Sequence, residues 1–364
     1  MTIAENGSDT GLDEPMVSQT FAYVVSGTFI LITIVTIIGN LLVCYAIVAN
    51  RVLRRTPTNT FIFSLAVSDL LTALIAITFD IDILLKRGIW THGEHMCRAW
   101  TTIYLIGVPT SILTLLAVSI DRYKTLSDPL GQFKETRFMT RKRALFAVTC
   151  IWLYCILFSL VPVFGWRMYD TWVYDGVCYF VLTSVFSALS SFLNFILPLL
   201  ATCMIYLKIY LIARNRQALQ ECSRRSGVEH EQRQKKYRNN LRAAKTISVI
   251  VGAFFFCWVP YCVMSIVLNL WPNYIATTPK ELVFILLMFG YLNSAMNPFL
   301  YSLLNKRFKT TYIKTCLKMR YKVNRGDASI SHISLQTYST RRMRLSELKD
   351  GHSSRNNNLS NESS

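Results

Sequence analysis

One apolar stretch decides how this chain folds: residues 97–123, which read CRAWTTIYLIGVPTSILTLLAVSIDRY. Cys97 begins the stretch, and Asp121 follows it 24 residues later. In an α-helix this separation is about 36 Å, which matches the thickness of a bilayer. The stretch therefore predicts a membrane-crossing helix, with a cysteine near one face and the triplet Asp121-Arg122-Tyr123 at the other.

Stretches of this kind make up about half of the chain, which has 364 residues, 52% of them hydrophobic, and a mean hydropathy of +0.32. A span needs about 20 apolar residues, and it must be helical because lipid offers the backbone no hydrogen-bond partner. We therefore predict an all-α membrane protein, a seven-transmembrane helix bundle. The predicted spans are 21–48, 59–85, 99–123, 143–164, 183–212, 245–270 and 282–304.

The basic residues gather on one side of the predicted bundle. The chain holds 39 Lys and Arg and carries a net charge of +18. The side of the N-terminus holds five of them, namely Lys86, Arg87, Arg98, Arg167 and Lys280, and the other side holds the remaining 34. The positive-inside rule then predicts an extracellular N-terminus and a cytoplasmic C-terminus. Because topology explains the charge, we expect no nucleic-acid partner.

Four regions follow from this topology. Residues 1–20 form an extracellular N-terminus, and 21–304 form the bundle. Residues 305–319 predict a short amphipathic eighth helix on the inner leaflet, and the Ser-, Asn- and Arg-rich residues 320–364 predict a disordered cytoplasmic tail. Two modification sites are expected, namely glycosylation at Asn6 and palmitoylation at Cys316.

Two cysteines stand outside the membrane on the extracellular side. Cys97 lies at the outer start of span three, and Cys178 lies in the outer connection between spans four and five. No other cysteine of the sequence lies clearly in an outer loop. Because that side is oxidising, we predict a disulfide between the two that holds the connection over the bundle.

Asp69 is predicted to lie in the middle of the membrane. A carboxylate there is costly, so it is a candidate functional residue. Polar residues of spans three and seven are expected at similar depth. One acid surrounded by hydroxyls and amides suits a small hard cation such as sodium, and no other cofactor is expected.

Two spans carry a proline in mid-helix, within FFFCWVPY in span six and NSAMNPFLY in span seven. Proline removes a backbone hydrogen bond and kinks a helix. Trp258 lies beside the kink at Pro260, where it can convert a ligand contact into helix motion. Asn297 and Tyr301 flank Pro298, where they can re-form polar contacts.

These motifs, in this order, resemble those of class A (rhodopsin-like) G-protein-coupled receptors. The resemblance implies a membrane receptor that binds an extracellular ligand and activates a heterotrimeric G protein, with arrestin and receptor kinases as further partners. It rests on Asp121-Arg122-Tyr123, Cys257-Trp258-Val259-Pro260 and Asn297-Pro298-Phe299-Leu300-Tyr301, and on Asn40, Asp69, Trp152 and Pro198, which resemble the usual markers of spans one, two, four and five.

The resemblance also implies roles for single residues. A sodium site is implied at Asp69, Ser111, Asn293, Ser294 and Asn297. A connector between ligand pocket and core is implied at Ile112, Pro198 and Phe254. A switch that rearranges on activation is implied at Arg122, Tyr206 and Tyr301. Leu130 resembles the loop residue that packs into the G protein.

The ligand half departs from the branch that it resembles most. Segments such as FSLAVSDLLTA resemble the aminergic branch, whose members carry an aspartate seven residues after the disulfide cysteine as the counter-ion of the amine. Here that residue is Tyr104, and a phenol carries no charge at pH 7. Asp80 and Asp82 are either substitute counter-ions or solvated acids at a loop edge. Tyr291 stands where an opsin carries its retinal lysine, which argues against an opsin.

Serines and an asparagine in span five offer hydrogen bonds to a polar ligand. We favour a small polar or amine-like ligand, while a peptide, a lipid or an orphan receptor that is active without ligand remains open. The pocket candidates are Tyr104, Val108, Phe180, Ser190, Ser191, Asn194, Trp258, Tyr261, Cys262 and Tyr291.

Other protein classes fit less well. A transporter or channel predicts internal repeats and several charges along a pathway, but the sequence shows no clear repeat and one deep acid, Asp69. The sequence shows no nucleophile–base pair of an enzyme. One departure concerns signalling: where many relatives carry an acid that holds the span-three arginine, this chain has Asn240, so we expect raised basal activity.

Overall fold

The computed structural model describes residues 17–127, 138–222, 228–271, 274, 277–304, 308–313 and 315. Within these residues seven helices are long and apolar enough to cross a membrane, which confirms the predicted seven-helix bundle. Span one is Gln19–Ala49; span two is Pro57–Leu71, Thr72–Ile77 and Thr78–Leu85; span three is Gly93–Ser127; span four is Arg141–Leu160; span five is Ser184–Ser191, Phe192–Ile196 and Leu197–Cys222; span six is Val228–Leu270; span seven is Lys280–Leu304. A short helix, Arg51–Arg55, joins spans one and two.

Several helix ends differ from the predicted ones. Span three begins at Gly93 rather than at 99, and span four ends at Leu160 rather than at 164. Span five extends beyond its predicted end at 212 to Cys222, and span six begins at Val228 rather than at 245. Hydropathy marks only the part of a helix that contacts lipid. Its polar continuation, rich here in Glu, Gln, Lys and Arg, still favours helix.

The bundle exposes apolar side chains and buries polar ones. Leu31, Phe146 and Phe256 are exposed, whereas Asn40 and Asp69 are buried. Exposing apolar side chains to lipid hydrocarbon carries no free-energy penalty, whereas polar groups are stable only where they find partners inside the bundle. This arrangement is the one that a lipid environment requires.

Span three lies at the centre and packs against spans two, four, five and six, while span one packs against spans two and seven. Trp152 of span four donates its indole N–H to Ser64 Oγ of span two over 2.9 Å. Residues that face several neighbours therefore come mainly from span three.

Two spans contain a π-helical stretch, at Thr72–Ile77 and at Phe192–Ile196. A π-helical turn accommodates an extra residue, so it changes which side chains beyond it face the interior. The stretch in span two separates Asp69 from Asp80, and the stretch in span five contains the buried Asn194.

The connection between spans four and five holds a short antiparallel hairpin. Strand β1 is Val173–Tyr174 and strand β2 is Val177–Cys178, with Val173 opposite Cys178. Cys178 forms the predicted disulfide with Cys97, with 5.7 Å between their Cα atoms. This bond fixes the hairpin to the start of span three. We call this side of the bundle the Cys97 end and the opposite side the Arg122 end.

Candidate functional site

Two cavities open at the Cys97 end, and they share Tyr104, Phe180 and Tyr261 as lining residues. The serine cavity, of about 300 Å³, is also lined by Val108, Ser187, Ser190, Ser191 and Trp258. The aspartate cavity, of about 240 Å³, is also lined by Asp80, Trp100, Cys178, Val283 and Phe284. Seven of the ten pocket candidates line the serine cavity.

Asn194 does not line either cavity. Its side-chain oxygen accepts a hydrogen bond from the Tyr154 hydroxyl over 2.9 Å, and its amide nitrogen donates to Ser190 Oγ over 3.3 Å. The π-helical stretch of span five places Asn194 in this buried position between spans four and five. Asn194 therefore holds Ser190 and braces the wall of the serine cavity from behind.

Asp80 is a buried acid at the Cys97 end of the bundle. Its side chain is 3% exposed, and its Oδ2 accepts hydrogen bonds from the hydroxyls of Tyr104 and Tyr291. Three spans thus meet at one carboxylate oxygen. Tyr104 and Tyr291, which mark the two departures from the aminergic and opsin patterns, both turn towards the same acid.

Asp82, by contrast, lies near the surface. It pairs with Lys86 at 3.0 Å and hydrogen-bonds with His92 at 2.8 Å, and all three side chains are partly exposed. The two acids that the sequence could not separate therefore differ in kind. Asp82 is the solvated acid at a loop edge, and Asp80 is the buried one.

Trp258 forms the link between the serine cavity and the core. Its ring packs against Tyr261 and Phe254, with centroids 6.1 and 6.4 Å apart. Gly290 of span seven lies against it, where a Cβ atom would come within 2.9 Å of the indole ring. Ile112 and Phe254 of the expected connector, together with Cys262, line a separate cavity of about 80 Å³ near Trp258, and Pro198 is buried in span five.

The polar residues around Asp69 lie together in the core. Asn297 donates its amide N–H to Asp69 Oδ2 over 2.8 Å. Ser111 Oγ lies 3.0 Å from Ser68 Oγ, and the side-chain oxygen of Asn293 is buried with no hydrogen-bond partner among the described residues. A carboxylate, hydroxyls and an unpaired amide oxygen are donors that suit sodium, so these residues fit the ion.

Asp121 and Arg122 form an ion pair at the Arg122 end, with 2.5 Å between Asp121 Oδ2 and Arg122 Nη2. Thr58 of span two completes a triangle, because its hydroxyl accepts from Arg122 and donates to Asp121 Oδ2 over 3.4 Å. Span three is thus tied to span two. The side chain of Asn240, on which the expectation of raised basal activity rests, lies outside the described residues.

Two further switch residues, Tyr206 and Tyr301, belong to spans five and seven. Tyr206 accepts a hydrogen bond from Ser119 over 3.3 Å, and Lys208 lies over the ring of Tyr123. Tyr301, three residues after Pro298, is buried with its ring 6.0 Å from that of Phe308.

Three predicted residues lie outside the described part of the chain: Leu130, Asn6 and Cys316. Residues 308–313 and 315, within the range expected for the eighth helix, are helical.

Seven spans, a disulfide at one end, a buried acid in the core and an Asp-Arg pair at the other end define a seven-helix receptor. The profile of the family described as 7 transmembrane receptor (rhodopsin family) matches residues 39–301. The chain belongs to the rhodopsin family of seven-transmembrane receptors, a family of receptors rather than enzymes.

The curated relatives include several receptors named for amines, which confirms the resemblance to the aminergic branch. The chain is 32% identical to the 5-hydroxytryptamine receptor 4 of Rattus norvegicus over 81% of this chain and 76% of that receptor. It is 32% identical to the histamine H2 receptor of Cavia porcellus, over 79% and 78%. It is 31% identical to the octopamine receptor beta-1R of Drosophila melanogaster over 85% of this chain, and it spans 65% of that receptor's length.

Proposed function

We propose that this chain is a plasma-membrane receptor that binds a small amine-like ligand at the Cys97 end and activates a heterotrimeric G protein at the Arg122 end. The proposal rests on the serine cavity, because Trp258 lines this cavity and also packs against the buried ring of Phe254. A ligand that pushes on this ring acts directly on the proline-containing part of span six. Binding can therefore bias the helix arrangement of the core.

Several observations support the direction of signalling and the ligand class. Basic residues collect at the Arg122 end, which favours a cytoplasmic position for it and an extracellular one for the hairpin. The serine cavity is small and is lined by aromatic rings and four serines, which suits a small amine rather than a peptide. Receptor kinases and arrestin are proposed as further partners on the cytoplasmic side.

The proposal is tested by a ligand panel in transfected cells. We expect at least one of octopamine, 5-hydroxytryptamine, dopamine and histamine to give a saturable response through one G-protein subtype. Basal signalling is recorded in the same cells, with Arg122→Ala as the uncoupled reference. Silence across the panel, together with basal signalling equal to that of Arg122→Ala, would overturn the proposal.

We also propose that a sodium ion binds beside Asp69, where it would supply the positive charge that the buried carboxylate lacks. Exchange of sodium chloride for N-methylglucamine chloride is then expected to change agonist affinity about fivefold or more in the wild type, through coupling between the two sites. Asp69→Asn should abolish this sensitivity, whereas Asp82→Asn should keep it. Equal sodium sensitivity of the Asp69→Asn and wild-type proteins contradicts the site.

A further inference from the structure

The aspartate cavity contains a buried acid that forms no ion pair with any basic side chain that the structure describes. Asp80 lines this cavity with Trp100, Tyr104, Phe180, Tyr261 and Phe284. Its hydrogen-bond partners, the hydroxyls of Tyr104 and Tyr291, are neutral. Among the described residues, no lysine, arginine or histidine forms an ion pair with it.

Such an arrangement is poor at stabilising a negative charge. Removing a carboxylate from water is costly unless a positive charge or several strong donors replace the water, and two phenols supply only part of that. Asp82, two residues further along, already has Lys86 and His92 beside it. A cation from outside the chain would supply the charged partner that Asp80 does not find among the described residues.

The wall around Asp80 matches such a cation. Trp100 packs edge-on against Tyr104, with ring centroids 5.4 Å apart, and Phe180 packs against both rings. Aromatic faces attract ammonium groups, most strongly where water is excluded. The cavity thus combines one carboxylate with an aromatic enclosure, which is suited to a protonated amine rather than to an anion or a sugar.

We propose that Asp80 is the counter-ion of the ligand's ammonium group, supplied from span two, with Tyr104 and Tyr291 as positioning residues that orient its carboxylate. The inference rests on the proposed function, because it assumes that an amine activates the receptor. The body of the ligand then contacts Tyr104, Phe180 and Tyr261, which the two cavities share. The ligand class is a small protonated amine with an aromatic or apolar body.

The test compares four receptors, with surface expression measured for each: wild type, Asp80→Asn, Asp82→Asn and the double variant Asp80→Asn/Tyr104→Asp. The probe is whichever of octopamine, 5-hydroxytryptamine, dopamine and histamine is most potent on the wild type. Loss of a buried charge partner is expected to raise its half-maximal concentration about 100-fold in Asp80→Asn. Asp82→Asn should stay within about threefold of the wild type, because a surface ion pair contributes little.

The double variant returns a carboxylate to span three and is expected to recover at least about tenfold of the lost potency. Wild-type potency of a surface-expressed Asp80→Asn overturns the inference while leaving the proposed function intact. A wild type that answers none of the amines overturns the inference, and it overturns the proposed function as well where its basal signalling equals that of Arg122→Ala. If Asp80→Asn does not reach the surface, Tyr104→Phe decides: reduced amine potency supports the inference, and unchanged potency overturns it.

Discussion

Replacing Arg122 by alanine is expected to abolish G-protein activation while leaving ligand affinity within about threefold of the wild type, since the two ends lie roughly a bilayer apart. Arg122 forms an ion pair with Asp121 at the end of the bundle opposite to both cavities. The measurements are agonist-stimulated signalling and ligand binding on the same cells. Arg141→Ala, which removes an exposed arginine at the same end, is the matched control and should couple normally.

The triangle of Thr58, Asp121 and Arg122 leads to a second prediction, with the opposite effect on signalling. In Thr58→Val the hydroxyl that joins Asp121 and Arg122 is lost, so the arginine is held less firmly in this arrangement. A lost hydrogen bond to a charged group can shift such an equilibrium by about tenfold, so basal signalling should rise. Thr60→Val, whose hydroxyl contacts neither residue, serves as its control.

For the first prediction, retained coupling in a surface-expressed Arg122→Ala would show that this arginine is not the switch.

Replacing Gly39 by alanine is expected to lower the thermal stability of the receptor in detergent by several degrees. A Cβ atom there would lie 2.6 Å from Pro298 Cγ, so spans one and seven would have to separate. Such overpacking costs about 1–3 kcal/mol. The nearby bond from Asn40 Nδ2 to the carbonyl of Ser294, at 3.1 Å, would be strained as well.

Span one itself supplies the control for this variant. A Cβ atom added at Gly27 would have no neighbouring atom within 4 Å, so Gly27→Ala should raise stability through the better helix propensity of alanine, about 1 kcal/mol. The two substitutions are chemically identical and are expected to shift the melting temperature in opposite directions. Shifts of the same sign would refute the close packing of spans one and seven.

The features that could be predicted from sequence are those that the membrane imposes. Span number follows from the length of apolar runs, and the Cys97–Cys178 bond followed because these two cysteines stood outside on the same side. Asp69 and Asn297 were expected together because few polar residues are tolerated at that depth, and they are hydrogen-bonded.

The remaining features depend on how each helix is rotated about its axis. Asp80 and Asp82 look alike in sequence, and the π-helical stretch before them, for which the sequence carries no recognisable signal, helps to decide which one is buried. Asn194 was predicted to contact the ligand because the sequence does not show how the π-helical stretch of span five rotates its side chain away from the cavity. Thr58 was missed because it belongs to none of the recognised motifs, and its role appears only when spans two and three are placed side by side.

The π-helical stretch Thr72–Ile77 also limits how residue roles can be transferred by alignment. In a relative whose second span is a regular α-helix, side chains aligned without a gap would point in other directions than those of this chain beyond the π-helical stretch. An acid aligned with Asp80 would then face another neighbour, and the true equivalent of Asp80 would carry a different alignment position. Counter-ions in this outer part of span two should be sought by spatial superposition rather than by matching columns.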